Sequence, residues 1–304
     1  MRPGPALLGR RQRGGHRLVG VPHLHGVRAD AHHRRHRAAR RPPARRLTGH
    51  HRPPACDNGP VTALTPDFTL DRSIRTVVFD FYGTLGHATH WLGIDAVLAQ
   101  HGYTLPEEVR RRWWFENEHD GLTHVEHSAD AEAYERWQRE RLLGMLAESD
   151  VHPGEHELIV ETLRSGRTSR VLEAYPESAP VLAELRARGI QTAVCSNWDW
   201  DLAEAIDEAG LTGATDVQVS SAWAGARKPH PRIFEHTLYA TGADPAHTLF
   251  VGDTWGPDVV GPRAAGMTPL YLLRDGHWPD PTAPADPTAD ALCATDLTAV
   301  LDLV

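Results

Sequence analysis

Acidic, hydroxyl and amide side chains with catalytic potential follow three separated apolar runs of the chain. Asp80 ends the first run, Ser196 and Asn197 end the second, and Asp253 follows the third, with Asp258 five residues later. Enzymes use carboxylates as covalent nucleophiles and as ligands for hard cations such as Mg²⁺. These residues are therefore candidates for one site, provided that the fold brings the three points together.

Lys228 is a further candidate because it is the only lysine in the chain, against thirty-one arginines. Every other basic residue of the lysine or arginine type in this sequence is an arginine, so a cation that is needed only at the surface is expected to be an arginine as well. A single lysine favours a requirement for a compact ammonium that fits beside a carboxylate and a phosphoryl or leaving group. The alternative is a chance surface lysine that precedes Pro229.

Apolar, β-branched runs predict the strands that position these residues. They span residues 74–79, 191–195 and 247–251, with further runs at 216–219 and 268–273. Helical patterns alternate with them at 176–188, 199–209 and 231–241, and the second helix is expected to be capped by Asp199. Such alternation predicts an α/β fold with a Rossmann-like parallel sheet. Because ligands collect at the carboxyl ends of the strands in such sheets, Asp80, Ser196 and Asp253 should converge.

About ninety residues between the first two runs contain no convincing strand. Two sets of residues there follow helical spacing, and they are Ile94, Val97, Leu98 and His101 in one stretch and Tyr134, Trp137, Leu142 and Met145 in another. The pattern predicts a helical insertion that closes over the crevice. Its tryptophans are expected mainly in its core, and they are Trp91, Trp113, Trp114 and Trp137.

Composition sets the broad class of protein. The chain of 304 residues is 40% hydrophobic and 24% charged, as is usual for a globular protein. No run approaches the ~20 apolar residues of a membrane helix, so no membrane partner is expected. The three cysteines, Cys56, Cys195 and Cys293, are scattered and odd in number. They do not favour a disulfide framework or a zinc site, and they indicate the cytoplasm.

The first 65 residues differ from the rest of the chain. Residues 1–60 contain fourteen arginines, no lysine and two aspartates, a formal charge of +12. With no hydrophobic period, this segment is predicted to be disordered. The favoured explanation is that natural translation starts near Val61. An arginine-rich arm for nucleic acid lacks interleaved aromatic residues, and a targeting peptide would need an apolar stretch or serine. A nucleic-acid partner is thus not favoured.

Four motifs, in this order, resemble those of the haloacid dehalogenase (HAD) superfamily over residues 70–304. They are Asp80-x-Tyr82-Gly83-Thr84, Ser196-Asn197, Gly225-Ala226-Arg227-Lys228-Pro229 and Gly252-Asp253-x-x-x-x-Asp258, followed by Ala264-Ala265-Gly266-Met267. The placement of the insertion resembles the helical-cap subgroup. The domains expected are a tail at 1–65, an α/β core at 66–88 and 172–304, and a helical cap at 89–171.

The resemblance implies a hydrolase in which Asp80 is the covalent nucleophile. Thr84 would help to hold the nucleophile loop, and Ser196 would donate a hydrogen bond to the transferring group, with Asn197 beside it in the site. Lys228 would be the basic residue of the third motif. Each of these residues also has a plain structural interpretation, as a turn, a cap or a surface position.

The resemblance also implies a Mg²⁺ site. Asp80 and Asp253 would bind the ion, and Asp258 would bind it directly or through a neighbouring ligand. The backbone carbonyl of Tyr82 would be a further ligand. A capped helix start is the structural alternative for Asp253 and Asp258.

Tyr82 departs from the phosphatases of the superfamily, which usually have a second Asp two residues after the nucleophile. That Asp is the acid for the leaving group and the base for the attacking water. A tyrosine there resembles the 2-haloacid dehalogenase branch, whose halide leaves without a proton. Gly252-Asp253, in contrast, resembles the Mg²⁺-dependent phosphatases. A phenol with a pKa near 10 is a poor base at neutral pH.

Three functions stay open on these residues. A Mg²⁺-dependent phosphatase for a small phosphorylated metabolite is favoured, since paired acidic residues are costly unless a cation is bound. A 2-haloacid dehalogenase-like C–halogen hydrolase is supported by Tyr82 and by Arg110, Arg111 and Arg112, one of which could bind a substrate carboxylate. The same arginines could form a solvated helix face. The third function is a non-catalytic binding protein on this scaffold. The partner is a small-molecule substrate, and the sequence does not specify an oligomeric state.

Overall fold

The computed structural model describes residues 73–115, 125–274 and 280–304 of the chain. The predicted arginine-rich tail at residues 1–65 lies outside these ranges, so its disorder stays a prediction. Among the helices that the structure describes, none combines the length and the apolar character needed to cross a membrane.

A six-stranded parallel sheet organises the described residues, in the order β5-β4-β1-β6-β7-β8. The strands are β1 (Thr76–Phe79), β4 (Gln191–Ser196), β5 (Val217–Ser220), β6 (Thr248–Gly252), β7 (Thr268–Leu272) and β8 (Leu292–Ala294). The predicted parallel α/β sheet is confirmed, and β8 was not foreseen. Since β1 lies between β4 and β6, the order of the strands reverses at β1, which is where ligands bind in such sheets.

The strands are buried on both faces because their side chains alternate between two apolar layers. Val77 and Phe79 of β1 pack in one layer, and Val78 packs in the other. All three side chains are fully buried. This burial explains why the strand reads as an uninterrupted apolar run.

Helices cover both faces of the sheet. They are α5 (Ser178–Ala187), α6 (Leu202–Glu208), α7 (Ser221–Ala224), α8 (Pro231–Thr241) and α9 (Gly261–Ala264). Helix α8 begins at Pro231 and ends before Gly242, whose φ is +67°, as its sequence predicts. The predicted cap of α6 is wrong: the helix begins at Leu202, and the Asp199 carboxylate instead accepts hydrogen bonds from Tyr134 and Gln138.

The helical insertion contains α1 (Ile94–Gln100), α2 (Glu107–Arg110), α3 (Ala131–Glu148) and α4 (His156–Thr168). Contrary to prediction, two strands flank these helices, β2 (Gly86–His90) and β3 (Val171–Ala174), which pair antiparallel. Their pattern was missed because β2 has little apolar character. The insertion has its own core, which includes Val97, Leu98, Met145, Leu146 and Ile159.

Shorter helical segments complete the described chain. Segments of 3-10 helix are Val125–Ser128, Pro153–Glu155, Pro245–His247, Pro287–Ala289 and Leu297–Asp302, and π-helical segments are Arg111–Phe115 and Trp255–Val260. The second π-helical segment directly follows β6 and contains Asp258, so it belongs to the candidate site.

Candidate active site

Three carboxylates meet at the carboxyl end of the central strands. Asp80 is the first residue after β1 and Asp253 the first after β6, and their strands are paired with Phe79 opposite Val251. The Asp80 N–H donates to the carbonyl of Val251 at 2.8 Å, which continues the ladder by one residue. Asp258 reaches the same place from the π-helical segment. One oxygen of each of these three carboxylates lies within 4.8 Å of the others.

Lys228 lies between two of these carboxylates. Its Nζ donates to Asp80 Oδ1 at 2.9 Å and to Asp258 Oδ1 at 2.6 Å. The residue is only 1% exposed, so it is not a surface lysine. Burial by itself would lower the pKa of the ammonium, but the charges of Asp258 and Asp80 more than offset that effect and raise it. The lysine therefore carries a positive charge at this point of the interior.

One ammonium does not neutralise three carboxylates. Burial, followed by repulsion from Asp80 and Asp258, raises the pKa of Asp253 well above its usual range. Burial also raises the pKa of Asp258 to about 7, although Lys228 opposes the shift. If all four groups were ionised, these four side chains would carry two excess negative charges, and buried charges of one sign are costly unless they are compensated.

Gly252 allows Asp258 to approach the end of β6. A Cβ atom built on Gly252 would lie 2.5 Å from Asp258 Oδ2, closer than real Cβ atoms come to other atoms. The same oxygen accepts the N–H of Thr254 at 2.9 Å. The glycine of the Gly252-Asp253 motif therefore has a physical function, because a side chain there would displace the Asp258 carboxylate.

Thr84 connects the loop after β1 to Asp253. Its hydroxyl donates to Asp253 Oδ1 at 3.2 Å, and its carbonyl accepts a hydrogen bond from Arg274 at 2.8 Å. Arg274 also pairs with Glu177 at 2.6 Å and stacks 3.6 Å above the ring of Tyr175. Arg274 thus supports the loop that carries Thr84. The sequence offered no signal for it, since it is one of thirty-one arginines in the chain and belongs to none of the motifs.

Asn197 and Ser196 lie at the end of β4, the other neighbour of β1. The Asn197 side chain donates from Nδ2 to the carbonyl of Lys228 at 3.0 Å and accepts the Lys228 N–H at 2.7 Å. This pair of hydrogen bonds fixes the backbone that carries the lysine. Ser196 is the last residue of β4 and is buried, at the same edge of the sheet as Asp80.

Tyr82 is 36% exposed, and its ring belongs to an aromatic cluster with Trp91 and Trp198. Burial of part of the side chain is the main factor that raises the pKa of Tyr82. The charge of Asp253 adds to the shift, and the backbone N–H of Ala88 partly offsets it. A smaller fraction of this phenol is therefore ionised at neutral pH than of a free tyrosine, so less of it can accept a proton.

The arginines of the insertion are engaged with acidic residues. Arg110 pairs with Asp95, Arg111 with Glu108 at 2.5 Å, and Arg112 with Glu148 at 2.7 Å. These pairs favour a charged outer face of the insertion over a substrate-binding position. The sequence-based suggestion that one of these arginines binds a carboxylate therefore gains no support.

The tryptophans of the insertion have different environments. Trp113 is 5% exposed and packs in the insertion core, as expected, whereas Trp91 is 36% exposed beside Tyr82. Trp137 is partly buried and stacks on His127 at 5.6 Å between ring centroids. The side chain of Trp114 is not among those described.

The insertion also contacts the loop after β4. The hydroxyl of Tyr134, a buried residue of α3, donates to Asp199 Oδ1 at 3.1 Å, and Gln138 Nε2 donates to the same oxygen at 2.8 Å. Asp199 is three residues beyond Ser196. The helical insertion is thus joined by hydrogen bonds to a segment that borders the carboxylate cluster.

Comparison with known proteins identifies the family. A family model described as haloacid dehalogenase-like hydrolase matches residues 74–266, more than half of the chain. The chain is 30% identical over 218 residues to a phosphatase of Mycobacterium tuberculosis, a match that covers 68% of this chain and 91% of that protein. It is 36% identical over 121 residues to a phosphoserine phosphatase of Thermus thermophilus, which covers 40% of this chain and 49% of the relative. The match thus spans about half the length of that relative.

A solved structure supports the same fold. The crystal structure of a HAD family hydrolase from Deinococcus radiodurans, with bound phosphate and sodium, superimposes with a TM-score of 0.52 at 24% identity. The match covers 76% of this chain and 94% of that one. At this level of identity the likeness concerns the fold alone. With its family match and a six-stranded parallel sheet, the chain belongs to the haloacid dehalogenase-like hydrolases.

Proposed function

We propose that the protein is a Mg²⁺-dependent phosphatase that acts on a small phosphorylated metabolite through Asp80. The observation that carries this proposal is the cluster of Asp80, Asp253 and Asp258 around the buried ammonium of Lys228. The phosphatases of Mycobacterium tuberculosis and Thermus thermophilus among its relatives support the same activity.

The donor set fits a divalent cation. Three carboxylates and one ammonium leave a formal charge of −2, and hard carboxylate oxygens are the ligands that Mg²⁺ prefers. Asp80, Asp253 and Asp258 would hold the ion, together with the backbone carbonyl of Tyr82. When bound, the ion would draw electron density from the phosphoryl oxygens and reduce their repulsion with the carboxylates.

Asp80 would perform the first chemical step. One carboxylate oxygen attacks phosphorus and forms an aspartyl phosphate, while the bond from phosphorus to the ester oxygen breaks and the alkoxide leaves with the electron pair. The ammonium of Lys228, 2.9 Å from Asp80, orients the nucleophile and offers positive charge to the transferring group. Ser196, at the same sheet edge, would donate a hydrogen bond to that group, and Thr84 and Asn197 would hold the two loops.

Hydrolysis of the aspartyl phosphate would be the slower step. Water must lose a proton as it attacks phosphorus, and the position that normally supplies a carboxylate base is Tyr82. Because the pKa of this phenol is raised, it stays protonated at neutral pH and does not accept that proton. We therefore infer that the covalent intermediate accumulates.

The expected domain division is compatible with the same function. We propose that the helical insertion, expected at residues 89–171, serves as a cap that limits access of water to the carboxylate cluster, with residues 66–88 and 172–304 as the catalytic core. The contact between α3 and Asp199 would hold the cap near the site. The buried thiol of Cys195 suits a reducing cytoplasm.

A 2-haloacid dehalogenase-like hydrolase is the second candidate, and Tyr82 is the observation that favours it. A halide leaves without a proton, so the missing carboxylate would cost this reaction little. Against it stand the three clustered carboxylates, because displacement of a halide does not require a cation to offset their charge.

Release of phosphate and of chloride separates the two candidates. We expect purified protein with Mg²⁺ to release phosphate from a panel of phosphate esters and acyl phosphates, to lose that activity in EDTA, and to leave 2-chloropropionate intact. Asp80→Asn, which removes the nucleophile but keeps the shape of the side chain, should retain less than ~1% of the rate. Chloride release that persists in EDTA would replace the phosphatase by the dehalogenase. Inactivity on every substrate would favour a binding protein.

A further inference from the structure

We propose that an aromatic surface formed by Tyr82, Trp91 and Trp198 binds the leaving group of the substrate, and that the preferred substrates are therefore aryl phosphates. This inference rests on the proposed phosphatase function and names the substrate class of the same site. Of these three residues, only Tyr82 was implicated by the sequence.

The three rings contact one another although they come from different segments. The centroid of Tyr82 lies 5.3 Å from that of Trp91 and 6.2 Å from that of Trp198, and the two tryptophans are 6.0 Å apart. Tyr82 and Trp91 are each 36% exposed, whereas Trp198 is 7% exposed. Edge-to-face and tilted rings at these distances form a continuous apolar surface with two open members.

Trp198 gives this surface a rigid base. Phe81 packs edge-on against it at 5.1 Å between centroids, and its indole N–H donates to Asp201 at 3.1 Å. The guanidinium of Arg170 lies 5.1 Å from the centre of the same ring and pairs with Asp201 at 2.8 Å. Because Trp198 is held in this way, little conformational entropy is lost when a flat group binds against the surface.

The position of the surface matches the path of the leaving group. In phosphoryl transfer the attacking and leaving oxygens lie roughly in line with phosphorus. The leaving group of an ester must therefore point away from Asp80 and away from the carboxyl ends of the strands. Tyr82 is two residues beyond Asp80 in the loop after β1, and Trp198 is two residues beyond Ser196 at the end of β4. Trp91 directly follows β2, where the insertion begins. The surface therefore borders the carboxylate cluster on the side of the insertion.

An aryl group suits both the surface and the altered chemistry. When the bond between phosphorus and the aryl oxygen breaks, the phenolate leaves with the electron pair and later takes a proton from water. A phenolate is stable enough to leave without an acid, which compensates for the missing carboxylate at Tyr82. The flat apolar ring gains stacking contacts that an alkyl group lacks.

The test separates ring stacking from leaving-group reactivity. The substrates are 2-naphthyl phosphate and hexafluoroisopropyl phosphate, an aliphatic ester of an unusually acidic alcohol. We expect the kcat/KM of wild-type protein with Mg²⁺ to be at least ~10-fold higher for the naphthyl ester than for the hexafluoroisopropyl ester. A factor of about ten corresponds to the free energy of one favourable contact between aromatic rings. Trp91→Ala should reduce this ratio towards one, whereas Trp91→Phe should preserve most of it.

Three further variants complete the design. Tyr82→Asp removes a ring and should lower the ratio even where absolute rates rise, whereas Tyr82→Phe should keep it. Tyr239→Ala, which removes an aromatic side chain that is 89% exposed on α8, should leave the ratio unchanged. A ratio near one in wild-type protein, or a ratio that Trp91→Ala does not change, overturns the inference while phosphatase activity stands. If acetyl phosphate is not hydrolysed either, the proposed function itself fails.

Discussion

Substitution of Gly252 by alanine tests whether the approach of Asp258 to the end of β6 organises the site. The new Cβ would lie 2.5 Å from Asp258 Oδ2, and real Cβ atoms keep at least 3.0 Å from such neighbours. The carboxylate must therefore move away until the distance reaches about 3.0 Å. This movement strains its hydrogen bonds to Lys228 at 2.6 Å and to Thr254 at 2.9 Å. Overpacking of this kind costs about 1–3 kcal/mol, and a displaced catalytic group about 10²-fold in rate.

A double-mutant cycle identifies the cause of the loss. Urea unfolding and kcat/KM are measured for wild type, Gly252→Ala, Asp258→Gly and the double variant. A Cβ at position 252 would also lie 2.5 Å from Asp258 Cβ, so the reference background must lack that atom as well. In the Asp258→Gly background Gly252→Ala should therefore cost almost nothing, and the coupling should equal about 1–3 kcal/mol. Gly93→Ala, where a Cβ meets nothing within 4 Å, is the control and should be nearly neutral. Equal penalties in both backgrounds would refute the reasoning.

Three other perturbations test the charges of the site. Lys228→Arg places a broad planar guanidinium where a compact ammonium bridges two carboxylates, and we expect a loss of ~10²-fold or more in kcat. If steady-state kinetics show almost no change in kcat, the site does not require a lysine at this position. Tyr82→Asp should supply the missing base, remove the pre-steady-state burst of released alcohol that wild type shows, and raise the steady-state turnover of alkyl phosphates. If rapid-quench experiments show no burst in wild type and only a loss of activity in the variant, Tyr82 serves only as a wall of the substrate pocket. In EDTA, the raised pKa values of Asp253 and Asp258, the latter about 7, mean that the folded protein holds protons that the unfolded chain has released. The free energy of unfolding should then fall as pH rises from about 4 to about 7, by up to ~1.4 kcal/mol per pH unit for each proton. Asp253→Asn should flatten this slope in urea titrations, and an unchanged slope would contradict the shift.

Local patterns of the sequence predicted the elements that position the site. The apolar run before Asp80 forms β1, the run before Ser196 forms β4, and α8 lies between Pro231 and Gly242. These predictions succeeded because burial on both faces requires continuous apolar strands, and because proline and glycine act on the backbone locally. The strand β2 was missed, since its polar residues pair with β3 across the whole insertion.

Contacts between distant residues were beyond the reach of such patterns. Asp199 was read as a helix cap because aspartate commonly caps helices, yet it accepts hydrogen bonds from Tyr134 and Gln138 more than sixty residues earlier. Arg274 supports the carbonyl of Thr84 across 190 positions of sequence. Neither partner could be inferred, because each depends on how the insertion and the outer strands pack.

The sequence by itself determined which chemical groups stand at the ends of the strands and that Tyr82 replaces the expected carboxylate. Only the tertiary structure decided that Lys228 is buried between Asp80 and Asp258, that Gly252 leaves room for the Asp258 carboxylate, and that Trp91 and Trp198 extend the ring of Tyr82. The physical reason is that strand formation follows from local apolar pattern and backbone preference. Charge compensation and ring contact depend instead on distances of a few ångströms between segments that only the packed sheet brings together.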